Sequence, residues 1–159
     1  MVSIAELRKI RLMNRLTDKM LEKVIPLIKV STYQEKETIF EQGQKADTFY
    51  MLYRGKVLLN VAVSDAITIS LGSVKPGYSF GWSALRPDGV YTSSAVAAEA
   101  SEVFSVDGKE FLRLLDEDHS MGYLVMQGVV HILENRLERR TTQFLKALAK
   151  HIDLEGILS

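Results

Sequence analysis

The sequence contains no cysteine. That excludes a disulfide framework, thiolate chemistry and any metal site built on cysteine. It also lacks an excess of either charge, with Lys+Arg 20 against Asp+Glu 20. A neutral chain has no general electrostatic pull on nucleic acid or an anionic membrane. No apolar run approaches the roughly 20 residues that a membrane-spanning helix needs. The opening MVSIAELRKIRL is interrupted by charges, unlike a secretory signal. There is no internal repeat and no low-complexity linker. These absences lead to the expectation of a cytoplasmic protein, or the cytoplasmic part of something larger.

What is present suffices for one domain with a full core: 159 residues, of which 47% are hydrophobic. Residues 2 to 14 predict a short amphipathic helix, with Ile4, Leu7 and Ile10 at three-residue steps. Thr17 is placed to cap a second helix, with Leu16 stapling onto Leu21. Pro26 should end or kink that helix. From Ser31 the period becomes alternating. Phe49, Met51 and Tyr53 mark one strand, and Val57, Leu59, Val61 and Val63 the next. Ser64-Asp65 reads as a hairpin loop, with Ile67, Ile69 and Leu71 on the returning strand. Short strands separated by turns predict a mainly β chain, a jelly-roll-like barrel with flanking helices. The expected division is 1–30 helical, 31–107 barrel, 108–150 C-terminal helices and 151–159 tail.

One stretch has an unusual order. In 80–97, FGWSALRPDGVYTSSAVA, a short aromatic strand ends at Gly81. About one helical turn follows over Trp82, Ser83, Ala84 and Leu85. A loop with Pro87 and Gly89 comes next, and then a strand of Ser and Ala. The first N–H groups of a helix lack partners inside it and carry the positive end of its dipole. With glycine admitting close approach, such a corner suits an anion, phosphate above all. A tight barrel corner packed with small residues accounts for the same spacing.

These residues resemble the phosphate-binding cassette of the cyclic-nucleotide-binding domain family, the module of catabolite activators, kinase regulatory subunits and cyclic-nucleotide-gated channels. Phe80, Gly81, Ala84, Leu85, Gly89, Ser93 and Val96 fit the family pattern. Ile39-Phe40 with Gly43, Tyr50-Met51-Leu52 and Gly55-Lys56-Val57 extend the resemblance over roughly residues 16 to 140. The resemblance implies a double-stranded β-helix barrel between an N-terminal helical segment and a long C-terminal helix. It implies a regulatory role and cyclic AMP or cyclic GMP as the ligand. Two positions depart from the pattern. Trp82 stands where the family glutamate binds the ribose 2′-hydroxyl, and Thr92 where the family arginine pairs with the cyclic phosphate. Losing an arginine–phosphate fork costs about 2–3 kcal/mol, roughly a hundredfold in affinity. The amides of Ser83 to Leu85 and the hydroxyls of Thr92 and Ser93 remain to hold a phosphate. Arg86 either supplies a substitute charge or faces solvent. Trp82 either stacks on a flat ligand or fills the pocket.

After the cassette, Glu102 to Val106 predict a last strand, and Asp107 a cap for a helix with Phe111, Leu114 and Leu115 inward. Ser120 is the expected start of the longest helix. Its Met126, Val130, Leu133 and Leu137 recur in 4-3-4 steps, a seam suited to a second helix, although packing on its own barrel is equally compatible. Family resemblance makes this helix a dimer interface or ligand lid, with Arg140 and Thr141 as lid contacts. Phe144, Leu145, Leu148, Ile152, Leu154 and Ile157 read as a helix end and hydrophobic tail. No recognition helix for DNA fits within Thr141 to Ser159.

An enzyme is not expected. Cupins share a related barrel, but their chemistry needs histidines on barrel strands. The three here, His119, His131 and His151, all follow the barrel and are far apart in sequence. No nucleophile motif and no paired acid–base arrangement is present. The expected protein is thus a regulatory sensor module. Its ligand is a cyclic nucleotide held weakly or not at all, or another small phosphate-containing effector. It pairs as a homodimer and has no direct nucleic-acid or membrane partner. The alternative is a ligand-free dimerisation or protein-interaction scaffold on the same fold.

Overall fold

The structure, a computed structural model, describes residues 1–158, and within these the side chains at 153–155, 157 and 158 are outside the description. The expectation for Leu154, Ile157 and Ser159 therefore lies outside the described residues. The chain divides into two compact units, Met1–Val125 and Met126–Ser159.

The first unit opens with α1 (Ile4–Leu7), closed at its start by a reciprocal Ser3–Glu6 capping box. The predicted helix over 2–14 is not formed beyond that turn. Instead Ile10, Met13 and Leu16 donate their N–H groups to the carbonyls three residues earlier, and Arg11 N–H turns to the Gly77 carbonyl at 2.9 Å. The reason lies in the spacing. Leu7, Ile10, Met13 and Leu16 are all buried at steps of three, which fits successive three-residue turns better than a 3.6-residue period. Helix α2 (Asp18–Val24) starts where expected, with Thr17 Oγ1 accepting from Met20 N–H at 3.3 Å. Pro26 ends it in a 3₁₀ turn, Ile25–Leu27.

Eight strands follow: β1 (Lys29–Tyr33), β2 (Thr38–Phe40), β3 (Thr48–Arg54), β4 (Val57–Ser64), β5 (Ile67–Val74), β6 (Ser79–Phe80), β7 (Ser94–Ala97) and β8 (Ser101–Asp107). They form two four-stranded sheets in the orders β1-β8-β3-β6 and β2-β7-β4-β5, with every pair antiparallel. The jelly-roll-like arrangement is thus present, but as two open sheets rather than a closed barrel. Phe40 of the second sheet stacks on Tyr50 and Phe80 of the first at 5.4 and 6.0 Å, so the sheets meet over an aromatic core. β3 and β8 are central and largely buried. β5 is an edge strand whose Ile67, Ile69 and Leu71 stay exposed. The β4–β5 loop is Asp65-Ala66, one residue later than expected, because Ser64 Oγ accepts from Ala66 N–H at 3.3 Å.

Helix α3 (Gly108–Glu117) is capped by Asp107, as its sequence indicates, and buries Phe111 and Leu115, whereas Leu114 is half-buried. Helix α4 (His119–Leu158) starts one residue before Ser120, because Asp118 Oδ1 caps Met121 N–H at 3.0 Å. Asp118 also pairs with Lys23 of α2 at 2.8 Å. Residues 151–158, expected as a tail, continue this helix. From Met126 on, this helix makes up the described residues of the second unit, and no described helix is long and apolar enough to cross a membrane.

Candidate functional site: the 79–97 corner

The corner begins where β6 pairs with β3 through Tyr50↔Phe80 and Met51↔Ser79. Gly81 then takes a left-handed conformation, φ 74 and ψ 32. A side chain there is doubly disfavoured. The backbone angle suits glycine, and a Cβ would sit 2.9 Å from the Tyr50 ring and 3.2 Å from the Thr48 carbonyl. The predicted helical turn is a 3₁₀ turn over Trp82–Leu85, with Ala84 N–H donating to Gly81 O at 3.1 Å and Arg86 N–H to Ser83 O at 3.2 Å. Of the amides proposed to receive an anion, that of Ala84 is thus engaged within the turn. Ser83 N–H has no acceptor among the described residues.

The loop folds back onto this turn. At Gly89 a Cβ would lie 1.9 Å from Ser83 O, so only glycine fits. Its return limb is zipped to residues 43–46: Tyr91 N–H donates to Gln44 O at 3.0 Å, Gly43 N–H to Tyr91 O at 2.9 Å and Ala46 N–H to Gly89 O at 2.8 Å. From the other side the first residue of α3 closes on the turn, since a Cβ at Gly108 would meet Ala84 O at 2.2 Å. Gly108 N–H donates to Asp47 O at 2.8 Å. Thr92 and Ser93 follow Tyr91 on the return limb, Thr92 exposed and Ser93 buried.

Trp82 is half-buried. Its indole packs edge-on against Phe49, with ring centroids 5.0 Å apart, and its Nε1–H donates to Ser79 O at 3.2 Å. Phe49 in turn stacks on Phe111 of α3. Arg86 is exposed on the loop beside Asp88, a non-glycine residue at φ 51.

Sequence reasoning missed the aromatic wall. Tyr91 stacks on Phe40 at 3.9 Å, and Tyr50 stacks on Phe80 at 5.2 Å. The Tyr91 hydroxyl donates to Thr48 O at 2.7 Å and accepts from Thr48 N–H at 3.2 Å, fastening the return limb to β3. Burial, opposed by the hydrogen bond to the Thr48 backbone, holds the Tyr91 hydroxyl above its ordinary value. Burial and the Tyr91 neighbour raise Tyr50 further. A tyrosine between Val90 and Thr92 carries no periodic signal, so only the fold reveals this role. Gly108 was missed for the same reason: its partner, Ala84, is remote in sequence.

In the second unit, Val130, Leu133 and Leu137 are 64%, 51% and 68% exposed, and Met126 is 41% exposed. Phe144, Leu145, Leu148 and Ile152 are exposed as well. Arg140 and Thr141 are exposed residues of this unit. Burial, with Arg139 and Arg140 nearby, pushes the Arg136 guanidinium below its usual value. Among the described residues no group of three His, Asp or Glu is gathered as a metal site.

The sequence profile of the cyclic nucleotide-binding domain matches residues 30–118. The cAMP-activated global transcriptional regulator CRP of Salmonella typhimurium is 29% identical over 100 residues, 62% of this chain and 48% of that protein. Human cGMP-dependent protein kinase 2 is 29% identical over 94 residues, 58% of this chain and 12% of the kinase. The match thus spans less than half the length of these relatives. Among solved structures, a Geobacter metallireducens protein classed as cyclic nucleotide-binding superposes with a TM-score of 0.75 at 28% identity, covering 86% of this chain and 99% of that one. The Thermus thermophilus catabolite activator protein gives 0.71 at 25% identity, covering 87% and 63%.

Proposed function

This chain belongs to the cyclic nucleotide-binding domain family, and on that premise we propose that it is a non-catalytic regulatory module that holds cyclic AMP or cyclic GMP weakly or not at all. The observation that carries the reading is Trp82. Where the family supplies a glutamate, this chain puts an indole whose ring packs on Phe49 and whose N–H is satisfied by Ser79 O. That side chain offers a ribose hydroxyl no acceptor. Thr92, where the family supplies an arginine, adds a hydroxyl but no charge. In this reading Gly81 and the Ser83 amide supply the backbone part of an anion cradle, and the charge-assisted contacts of the family's glutamate and arginine are missing.

Calorimetric titration with cyclic AMP and cyclic GMP tests this. Binding absent or far weaker than micromolar is expected, and Thr92→Arg should strengthen it by roughly a hundredfold, the worth of one arginine–phosphate fork. Sub-micromolar binding by the unaltered chain would overturn the reading.

A small phosphate-bearing effector other than a cyclic nucleotide is compatible with the Ser83 amide and the Thr92 and Ser93 hydroxyls. The second reading, a ligand-free scaffold, is favoured by the same packed indole together with the exposed α4 seam. In either reading the module pairs as a homodimer through Met126, Val130, Leu133 and Leu137. Arg140 and Thr141 are the lid contacts of the sensor reading. The module acts in the cytoplasm, with no direct hold on nucleic acid or membrane.

A further inference from the structure

Arg8, Lys9 and Arg11 lie close together in the chain, but the structure treats them differently. Arg8 spends its charge internally: its guanidinium pairs with Asp18 and donates to the Leu16 carbonyl at 3.0 Å. Lys9 and Arg11 lie instead over aromatic rings. Lys9 Nζ is 5.4 Å from the Tyr53 ring centre and within 3.4 Å of its hydroxyl, and the Arg11 guanidinium is 4.5 Å from the Tyr78 ring centre. Arg54 reaches the same Tyr53 ring at 5.0 Å. Since Lys9 and Arg54 both sit within 5.4 Å of one ring centre, their charges are less than about 11 Å apart.

The backbone fixes this grouping. Arg11 N–H donates to Gly77 O, Gly77 N–H to Leu52 O and Leu52 N–H to Tyr78 O, at 2.8–2.9 Å. Segment 9–11, the 77–78 turn and the end of β3 are therefore stitched into one surface. All three cations are exposed, and none has a carboxylate within ion-pair distance among the described residues. Glu102 is registered beside Arg54 on β8 but forms no ion pair with it.

We propose that Lys9, Arg11 and Arg54, seated on Tyr53 and Tyr78, form a docking surface for an acidic segment of a protein partner. Glu6 and Glu102 lie near Lys9 and Arg54 without closing an ion pair, so gathering three like charges is unfavourable, and the aromatic faces offset only part of that cost. Resting on a ring also limits side-chain freedom before any partner arrives, so less ordering entropy is lost on binding. The guanidinium forks present paired donors that match a carboxylate. Nucleic acid fits the surface less well. Nucleic-acid affinity grows with the number of phosphates neutralised, of which three cations reach few, and the chain's formal net charge is +0. A polybasic membrane contact needs about 4–8 basic residues together.

The test uses the chain with a fluorescein-labelled poly-glutamate peptide, read by fluorescence anisotropy at several salt concentrations. Binding that weakens as salt rises is expected, and Lys9→Glu/Arg11→Glu/Arg54→Glu should weaken it at least about tenfold. Charge reversal at the exposed Arg113 of α3 is the control and should change it far less. The milder Lys9→Gln/Arg54→Gln variant, with an unchanged circular dichroism spectrum, separates lost charge from lost folding and should weaken binding in the same direction. Equal losses from Arg113→Glu and the patch variants would overturn the proposal, as would no binding by the unaltered chain. So would a patch-dependent preference for oligodeoxythymidine or phosphatidylserine vesicles over the peptide. Cyclic-nucleotide titration of the same variants is expected to be unchanged, so this outcome is separable from that of the proposed function.

Discussion

The 79–97 corner and the second compact unit use small and apolar residues in opposite ways. In the corner, small residues let backbone meet backbone: Gly89 lies against Ser83 O, Gly108 against Ala84 O and Gly81 against Thr48 O. Its aromatics, Phe40, Phe80 and Tyr91, are buried within the first unit. In α4 Met126, Val130, Leu133 and Leu137 recur at heptad steps and stay exposed, and its Gly156 has nothing within 4 Å of where a Cβ would be. The corner is completed by its own chain, whereas the seam is a surface that water does not favour. A region of the first kind is broken by adding atoms, and one of the second kind by adding charge.

The largest expected effect follows from that difference. Gly108→Ala drives a Cβ to 2.2 Å from a backbone oxygen that cannot swing away. It should cost about 3 kcal/mol or more in urea unfolding. Gly156→Ala should instead be neutral or stabilise by up to about 1 kcal/mol, as for any open helix position. Equal effects at the two sites would erase the contrast.

Next in size is Leu133→Glu with Leu137→Glu. Light scattering should show the mass fall from dimer to monomer, with the near-ultraviolet circular dichroism of the first unit unchanged. An unaltered dimer would remove the seam from the interface and leave the corner as the better-understood half.

The smallest effect concerns a capping carboxylate in the first unit. The hydrogen bond from Lys23 and then the Met121 amide hold Asp118 below its ordinary value. A depressed folded value means that this stabilisation is present above the unfolded carboxylate range and is lost as pH falls through the folded value. Asp118→Ala should therefore lower Tm at neutral pH, and the gap between variant and parent should close in acid. A gap that persists below pH about 3 would show that the residue acts through packing rather than charge.

Much of the architecture was legible because its signals are local. Alternation marked β3 and β4, Thr17 and Asp107 marked helix starts, and Pro26 marked a helix end. The 3₁₀ turn after Gly81 could be read from one glycine and four following residues. Misreadings fell where local signals were ambiguous or competed with distant partners. Steps of three at Leu7, Ile10 and Met13 serve a helix or a run of tight turns, and the Gly77 carbonyl, remote in sequence, takes the Arg11 amide that a longer helix would use. The start of α4 moved by one residue because a carboxylate cap at Asp118 precedes Ser120.

By itself the sequence determined the succession of strands along the chain and the glycine-led corner, and it carried the reading of Trp82 and Thr92 as departures from the family pattern and the 4-3-4 apolar spacing in α4. Only the tertiary structure decided that Trp82 packs on Phe49, that Tyr91 ties the return limb to Thr48, that Gly108 closes the corner, and that Lys9 and Arg54 share one ring. The physical reason is range. Periodicity and capping act between residues a few positions apart, so they are written in the order of the letters. Packing and cation–aromatic contacts join residues tens of positions apart, and such pairs come into being only when the chain has folded.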